Sequence, residues 1–353
     1  MRLAFVSAET IFHSDTETNQ RLQTILEVLA ARGHDVHLFC TQFWAGTEDR
    51  LEREGITYHG VADRLEAKRT FLLRLPVVLA AARPDVVHAS AEPPTQILAA
   101  NWGATLARAP LVVEWYGDGG VADDRSTRLA ATRPDWIATP SELVGTWVRE
   151  HGADGTIVET VPNPIDCERL RSVEPGERVD VIYARRLDAE ANLESLLLAL
   201  AELRGRNWEA TVVGDGPERE RYERLASDLR IDERITFEGE LSLDERIAAY
   251  RGAHVFAQTA DRCVFPTELL WAIAAGCVGI VEYHANSSAH ELVEGRSRGF
   301  RTTSEAELAD AIVTAGELEY RDYDDAFEAY DERSIADRYQ RRYRTLLDEQ
   351  GLL

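Results

Sequence analysis

Asp261-Arg-Cys-Val-Phe-Pro-Thr-Glu-Leu-Leu-Trp-Ala-Ile-Ala-Ala-Gly276, followed by Cys-Val-Gly-Ile-Val-Glu-Tyr283, reads as a loop, a proline turn, a helix and a buried strand. Pro266 suits a helix start, where its missing N–H is one of the donors a helix leaves unpaired anyway. The amides that follow, with the positive end of the helix dipole, suit an anion such as a diphosphate. Gly276 stops the helix, and Val278 to Val281 has the unbroken apolar character of a strand inside a parallel sheet.

Outward from this stretch the same cycle repeats. Toward the N-terminus lie strand Val179 to Ala184, helix Glu190 to Arg204, strand Glu209 to Val213, helix Glu218 to Leu229, strand Ile235 to Glu238, helix Leu243 to Arg251 and strand Val255 to Gln258. The first half runs alike. Strands are expected at Leu3 to Ser7, Val36 to Cys40, Ile56 to Val61, Asp85 to Ser90, Leu111 to Tyr116, Trp136 to Thr139 and Thr156 to Pro162. Between them fall helices, among them Gln20 to Arg32 and a Leu65 to Arg83 segment expected to break at Pro76. Alternation of this kind means parallel sheets with helices on both faces, so the fold class is α/β with two doubly wound domains. The proline-rich Val161-Pro-Asn-Pro-Ile-Asp166 places the first domain at 1–166, with a linker at 167–178, a second domain at 179–323 and a helical tail at 324–353. Ligands of such sheets bind at the carboxyl ends of the strands, so a cleft between two such domains is the expected site.

Composition narrows the function. The chain of 353 residues carries 39 basic and 62 acidic side chains, a net charge of −23, and Lys68 is its only lysine. An acidic, lysine-poor surface fits a halophilic cytoplasm and disfavours nucleic acid as a partner, since phosphate contacts need clustered cations. The four cysteines, Cys40, Cys167, Cys263 and Cys277, form no C-x-x-C pair, which points to free thiols and away from a zinc site. The first strand is followed by Ala8-Glu9-Thr10 without the three-glycine fingerprint, which argues against NAD. No signal peptide or membrane-spanning run is legible.

A set of motifs in fixed order is more specific than any one of them. Ala184-Arg-Arg-Leu-Asp-Ala-Glu-Ala-Asn-Leu193, Val212-Val-Gly-Asp-Gly-Pro217, Phe237-Glu-Gly239, Pro266-Thr-Glu-Leu-Leu-Trp-Ala-Ile-Ala-Ala-Gly276 and His290-Glu-Leu-Val-Glu-Gly295 follow one another at this spacing. Together they resemble the donor half of glycosyltransferase family 4, of GT-B architecture. Arg32-Gly-His-Asp-Val36, Pro84-Asp-Val-Val-His88 and the 161–166 turn agree in the first half.

The resemblance implies a glycosyltransferase that uses a nucleotide-sugar as substrate, keeps anomeric configuration, and needs no cofactor and no metal. The acceptor expected is a glycan or a lipid-linked molecule. Arg186 matches the arginine that grips the donor diphosphate, while the lysine position holds Ala191 and Arg185 replaces a usual glycine. The arginine pair either compensates as a bidentate grip or is merely solvated at a strand end. The two glutamate positions hold Cys263 and Trp271. Glu268 remains nearby, as a ligand of donor hydroxyls or as a first-turn acid favoured by the dipole. Gly214, Asp215, Gly216, Thr267, Trp271 and Glu291 complete the implied donor site, with Ser287 and Ser288 near the phosphate. Trp271 either stacks on a base or sugar or belongs to the core.

On the acceptor side stand Ser14, Thr16, Tyr116 and Asp118, with Tyr116 where many relatives carry a histidine. Tyr116 and Glu268 are the candidate catalytic groups, although a tyrosine is a poor base near neutral pH. The substitutions also leave open a degenerate GT-B protein that binds a sugar, a nucleotide or a partner glycosyltransferase. Independently of any family, residues 64–83 carry Arg64, Lys68, Arg69, Arg74 and Arg83 against Glu66 alone, interleaved with leucines and valines. That segment is either a crossover helix or a peripheral contact with an anionic membrane, which would put the protein at the inner membrane face.

Overall fold

The apolar run Leu3 to Val6 forms β1 (Arg2–Val6) in the interior of a sheet. In a computed structural model, which describes residues 1–117 and 124–351, the chain divides into two units, Met1–Pro164 with the segment from Glu332, and Ile165–Asp331. The first unit continues with α1 (Glu17–Ala31), β2 (Asp35–Thr41), β3 (Arg50–Arg53), β4 (Ile56–Ala62), α2 (Lys68–Ala82), β5 (Val86–Ser90), α3 (Pro94–Ala107), β6 (Leu111–Glu114), α4 (Arg125–Ala131), β7 (Trp136–Thr139), α5 (Glu142–Glu150) and β8 (Val158–Thr160). Its strands stand in the order β3-β4-β2-β1-β5-β6-β7-β8, all parallel except β3, which pairs antiparallel with β4. The order reverses between β1 and β5.

The second unit holds α6 (Cys167–Ser172), β9 (Val179–Ala184), α7 (Leu193–Glu202), β10 (Ala210–Val213), α8 (Arg219–Asp228), β11 (Ile235–Gly239), α9 (Leu243–Gly252), β12 (Ala253–Gln258), β13 (Arg262–Cys263), α10 (Thr267–Ala274), β14 (Val278–Glu282), β15 (Asn286–Ser287), α11 (His290–Val293), β16 (Gly299–Thr302) and α12 (Glu305–Ala315). Six of its strands form a parallel sheet in the order β11-β10-β9-β12-β14-β16, and β13 pairs with β15. This is the doubly wound order, and it reverses between β9 and β12. The last helix, α13 (Glu332–Glu349), belongs to the first unit, where Ile335, Ala336, Tyr339, Tyr343, Leu346 and Leu347 are buried in the core that includes Leu22, Ile25, Val36 and Trp136.

Two expectations change, and two elements appear that the sequence reading does not include. The segment through Pro76 is one continuous helix, because α2 packs tightly along α3: a Cβ on Gly103 would lie 3.2 Å from the Pro76 Cα. Tertiary packing there offsets the hydrogen bond that a proline removes. The polar stretch after Asp166 begins with α6, capped by the Asp166 side chain and burying Cys167 and Leu170, so its two apolar residues were too few to show periodicity. The charged Arg50–Arg53 is an edge strand, and α4 fills the gap before β7. All four cysteines are buried and free. No helix among the described residues is long and apolar enough to cross a membrane.

One polar network holds α13 to the first unit. The Arg21 guanidinium on α1 lies 2.6 Å from Glu114 at the end of β6, with both side chains almost wholly buried. Arg21 also donates to Asn163 Oδ1, the Val161 carbonyl and the Tyr339 hydroxyl at 2.7, 2.7 and 2.9 Å. Tyr339 donates to Glu114 Oε2 at 2.7 Å, and His88 bridges Glu114 and the Tyr343 hydroxyl at 3.3 and 2.7 Å. Burial opposes ionisation of Glu114, but Arg21 and His88 outweigh it and hold the carboxyl below the usual carboxylate range.

Removing one partner of such a pair strands the other charge in a dry interior. Arg21→Leu should therefore cost about 3–5 kcal/mol in urea unfolding; a loss under about 1 kcal/mol would show that water reaches Glu114. Because the carboxyl is depressed in the folded state, its stabilisation is present above the ordinary glutamate range and should fade as pH falls through the folded-state value.

Candidate functional site

In the first unit the sheet order reverses between β1 and β5, and the loops after these strands enclose a cleft of about 320 Å³. Ser7, Ala8 and Glu9 come from the β1 end, Ser90 and Glu92 from the β5 end, and Thr16 and Asn19 from the start of α1. Lys68, Phe71 and Leu72 on α2 also line it. Gln96, fully buried on α3, holds the two loops together. Its amide accepts from the Ala8 N–H at 3.0 Å and donates to the Ser90 and Glu92 carbonyls at 2.7 and 2.8 Å. The only lysine of the chain thus stands on a cleft where hydroxyls, amides and two glutamates face Leu65, Phe71, Leu72 and Pro93.

The acceptor-side candidates separate. Thr16 caps α1, accepting from the Asn19 N–H, and lines this cleft. Ser14 lies in the same loop outside the lining and donates to Glu9 Oε2 at 3.2 Å. Tyr116 is buried, donating to Glu17 Oε2 at 2.8 Å and accepting from Asn163 Nδ2 at 3.1 Å. Its hydroxyl adjoins the Arg21 network through Asn163 and is not exposed in the cleft. Asp118 lies outside the described residues.

In the second unit the reversal lies between β9 and β12, and three loops at the carboxyl ends of the strands are sewn together. Asn192 Nδ2 donates to the Thr259 carbonyl at 3.0 Å while Thr259 Oγ1 donates to the Asn192 carbonyl at 2.7 Å. Arg185 donates to the Arg262 carbonyl at 3.0 Å, and the Asp261 N–H to the Glu190 carbonyl at 3.0 Å. Ser288 donates through its amide to Cys263 and through its hydroxyl to Val264, both at 2.8 Å, beside the short β13–β15 pair.

Within this frame Arg186 is exposed, and its guanidinium makes no hydrogen bond or ion pair among the described residues. Gly214 and Gly216 serve the frame itself. A Cβ on Gly214 would lie 2.1 Å from the Arg185 carbonyl oxygen, at φ +123°, and one on Gly216 would lie 2.3 Å from that of Leu187. The Gly-Asp-Gly turn is thus pressed against the loop that carries Arg185 and Arg186. Asp215 Oδ1 accepts from the Gly216 N–H at 2.7 Å.

Glu268 is half-buried and engaged within the unit, paired with Arg246 and accepting from the Tyr250 hydroxyl, both on α9. Burial and the adjoining carboxylate push the Tyr250 phenol well above its ordinary value. Trp271 is buried in α10 and Cys263 is buried in β13, so neither supplies a carboxylate. Ala191, at the lysine position, is wholly buried against α7 and its neighbours. Thr267 is the first residue of α10, and Glu291 lies half-buried in the first turn of the short α11.

Two residues at neighbouring strand ends escape motif reading. Gln258 ends β12 and Glu282 ends β14, each over nine-tenths buried. Gln258 Oε1 and Glu282 Oε2 have no hydrogen-bond partner among the described residues, while His284 lies 3.7 Å from the other Glu282 oxygen. No local pattern marks them, because only the strand register brings their ends together.

This pair of doubly wound units, each with its crevice at a strand-order reversal, defines a GT-B α/β protein. Residues 18–169 match the family described as Glycosyltransferase Family 4 and residues 166–330 the one described as Glycosyl transferases group 1. The chain belongs to the family 4-like glycosyltransferases of the GT-B superfamily. Among solved structures it is similar to a glycosyltransferase from Rickettsia africae (TM-score 0.78, 15% identity, 98% of each chain). It is similar also to the lipopolysaccharide outer core galactosyltransferase WaaB (0.73, 16%, 98% of this chain and 99% of that one). HepE from Anabaena in complex with UDP follows (0.70, 17%, 99% and 98%). At these identities the likeness establishes the fold. No curated protein matches the sequence.

Because the turn at Gly214 touches backbone, adding one methyl there must move the Arg185 loop. Gly214→Ala should destabilise the protein by about 1–3 kcal/mol, the usual cost of overpacking. Calorimetry checks it: an unchanged melting profile would mean that the turn relaxes freely.

Proposed function

We propose that the chain transfers a glycosyl unit from a nucleotide-sugar donor, held in the second unit, to a glycan or lipid-linked acceptor held by the first. In this reaction the bond between the anomeric carbon and the diphosphate oxygen breaks with the electron pair leaving on the diphosphate. An acceptor hydroxyl oxygen forms the new bond, and its proton passes to the departing phosphate oxygen. The anomeric centre passes through an oxocarbenium-like state. Retention of configuration, and a reaction without an obligatory metal or cofactor, are inferred from the family resemblance.

The observation that carries the reading is Arg186, an exposed guanidinium without a partner among the described residues, at the carboxyl end of β9, where the strand order reverses. An arginine fork there suits the two negative oxygens of a leaving diphosphate. Arg185, held against the 262 carbonyl, adds a second positive charge. Gln258 and Glu282 offer buried acceptors that suit sugar hydroxyls. Thr267, Glu291, Asp215 and the Gly214 and Gly216 backbone are assigned to the same donor site.

A binding-only reading draws on the engagement of Glu268 by Arg246 and Tyr250, and on the burial of Tyr116 and Trp271. These leave the two candidate catalytic groups bonded inside their own units. A thermal-shift series of nucleoside diphosphates at molar salt separates the two, starting with UDP because the solved HepE structure contains it. The enzyme reading expects selective stabilisation by one nucleotide and turnover of its sugar. Arg186→Ala should lower donor turnover on the order of a hundredfold, as loss of one preorganised donor does at an oxyanion site. Full activity in that variant would remove Arg186 from the mechanism, and binding without turnover would favour the second reading.

A further inference from the structure

Acidic side chains are spread through this chain at 62 of 353 positions, yet three consecutive helices carry none. Neither α2 (KRTFLLRLPVVLAAA), α3 (PTQILAANWGATLA) nor α4 (RSTRLAA) contains Asp or Glu, whereas each other α-helix among the described residues has at least one. These three are also neighbours in space: α2 packs along α3, and α3 along α4. Acid-free sequence is thus gathered on one face of the first unit.

The same face is apolar where it meets solvent. Of six large hydrophobic side chains exposed among the described residues, five stand on these helices: Leu73 (78%), Val77 (67%), Trp102 (70%), Leu106 (65%) and Leu129 (41%). Leu73 and Val77 are one helical turn apart on α2, as Trp102 and Leu106 are on α3, so each helix shows a stripe. Phe71, Leu75, Leu79, Ile97, Ala100 and Ala104 point the other way and are buried. The stripes are therefore surplus to the core. Arg69 on α2, Arg108 after α3, and Arg125 and Arg128 on α4 are exposed in the same layer.

We propose that the outer face of α2, α3 and α4 docks on the surface of an anionic lipid bilayer, with Leu73, Val77, Trp102 and Leu106 entering the interface and the arginines meeting the headgroups. Charge complementarity selects this occupant. A protein of net charge −23 is repelled by an anionic surface unless it turns toward it a face where cations outnumber acids, and here Glu66 and Asp124 flank α2 and α4 while no acid lies on the three helices. Exposed tryptophan and aliphatic residues ringed by arginine suit the boundary between headgroups and acyl chains. A second copy suits it less well, because a two-fold contact would bring the same arginines of both copies together with few acids to offset them.

The face also has a link to the cleft. Lys68, Phe71 and Leu72 line the cleft from the helix that carries Leu73 and Val77 outward. A docked protein would thus hold this cleft next to the headgroup layer, where an acceptor with a lipid tail resides. That last step rests on the acceptor assigned in the preceding subsection; the docking does not.

The test is flotation of the full chain with vesicles of phosphatidylglycerol and phosphatidylcholine, against phosphatidylcholine alone, at the salt where the protein is folded. The variants are Leu73→Ser with Trp102→Ser, and Arg69→Glu with Arg108→Glu, each checked for an unchanged melting temperature. We expect the wild type to float with the anionic vesicles, and each pair of changes to lower the bound fraction at least about tenfold. Tryptophan emission should shift to the blue on binding, and the Trp102→Ser variant should lose most of that shift. Absence of flotation on anionic vesicles overturns the proposal, as does flotation that both variants retain. A concentration-dependent dimer in sedimentation that the serine variant abolishes would reassign the face to a second copy and overturn it too. Nucleotide stabilisation is read separately, so a failure here leaves the donor-site reading untouched.

Discussion

Arg21 and Glu114 meet in a part of the first unit from which water is excluded, and their pairing determines what the surrounding groups can do. Two charges taken out of water cost several kcal/mol each, and the attraction between them repays that only if the remaining donors and acceptors are also met. Here they are. Arg21 donates to Glu114, Asn163, Val161 and Tyr339, and Glu114 also accepts from Tyr339, with the His88 ring 3.3 Å away. The groups come from α1, from β5 and β6, from the 161–163 turn and from α13, so segments more than 300 residues apart in sequence are held by one carboxylate and one guanidinium. Asn163 then passes the constraint to Tyr116, which also holds Glu17. Tyr116 is thereby part of the scaffold.

The two crevices differ in how they are built, and the difference bears on their chemistry. In the first unit a neutral amide, Gln96, joins the loops and leaves hydroxyls, two glutamates and Lys68 at the surface of the cleft beside an apolar wall of Leu65, Phe71 and Leu72. Such a lining suits hydroxyl-rich ligands with at most a local negative charge. In the second, backbone and side-chain bonds close the loops on one another, and the Gly-Asp-Gly turn is packed so tightly on the Arg185 loop that no side chain fits between. Most polar groups there are used up in holding the frame. The guanidinium of Arg186 is left over, as are one oxygen each of Gln258 and Glu282. A positive fork beside neutral and anionic acceptors suits a ligand with both phosphate and hydroxyl groups.

Strand and helix alternation made the architecture legible from sequence, because each parallel strand is a short apolar run and each helix shows its period of 3.6. What escaped lacked that signal. Arg50–Arg53 is charged on an edge, and α6 buries only two residues. Pro76 misled, because the packing of α2 against Gly103 decides that helix and local propensity does not. At the candidate site, motif order singles out loops but does not give the state of each side chain. Glu268 is committed to Arg246 and Tyr250 on α9, a pairing between helices that no spacing rule anticipates. Gln258 and Glu282 become neighbours only through the register of β12 and β14. Asp118 lies outside the described residues.

A surface that is acidic nearly everywhere gives unusual meaning to the places where acids are missing. In a chain of balanced charge, three helices without Asp or Glu would be unremarkable; here the same absence coincides with five exposed large hydrophobic side chains. The two components respond in opposite ways to salt. Attraction between the arginines and an anionic surface reaches about 10 Å at 0.1 M salt but only about 3 Å at 1 M, so it acts over less than the width of a helix when salt is high. Apolar burial does not fade in this way, and excluded salts strengthen it. A face built from both keeps its selectivity at low salt through charge and its hold at high salt through Leu73, Val77, Trp102 and Leu106. Arginine is the better cation for that setting than lysine, since its more weakly hydrated guanidinium loses less on entering an interface. The lysine the chain does keep is Lys68, on the cleft at the inner end of the same helix, where a compact point charge can face a ligand.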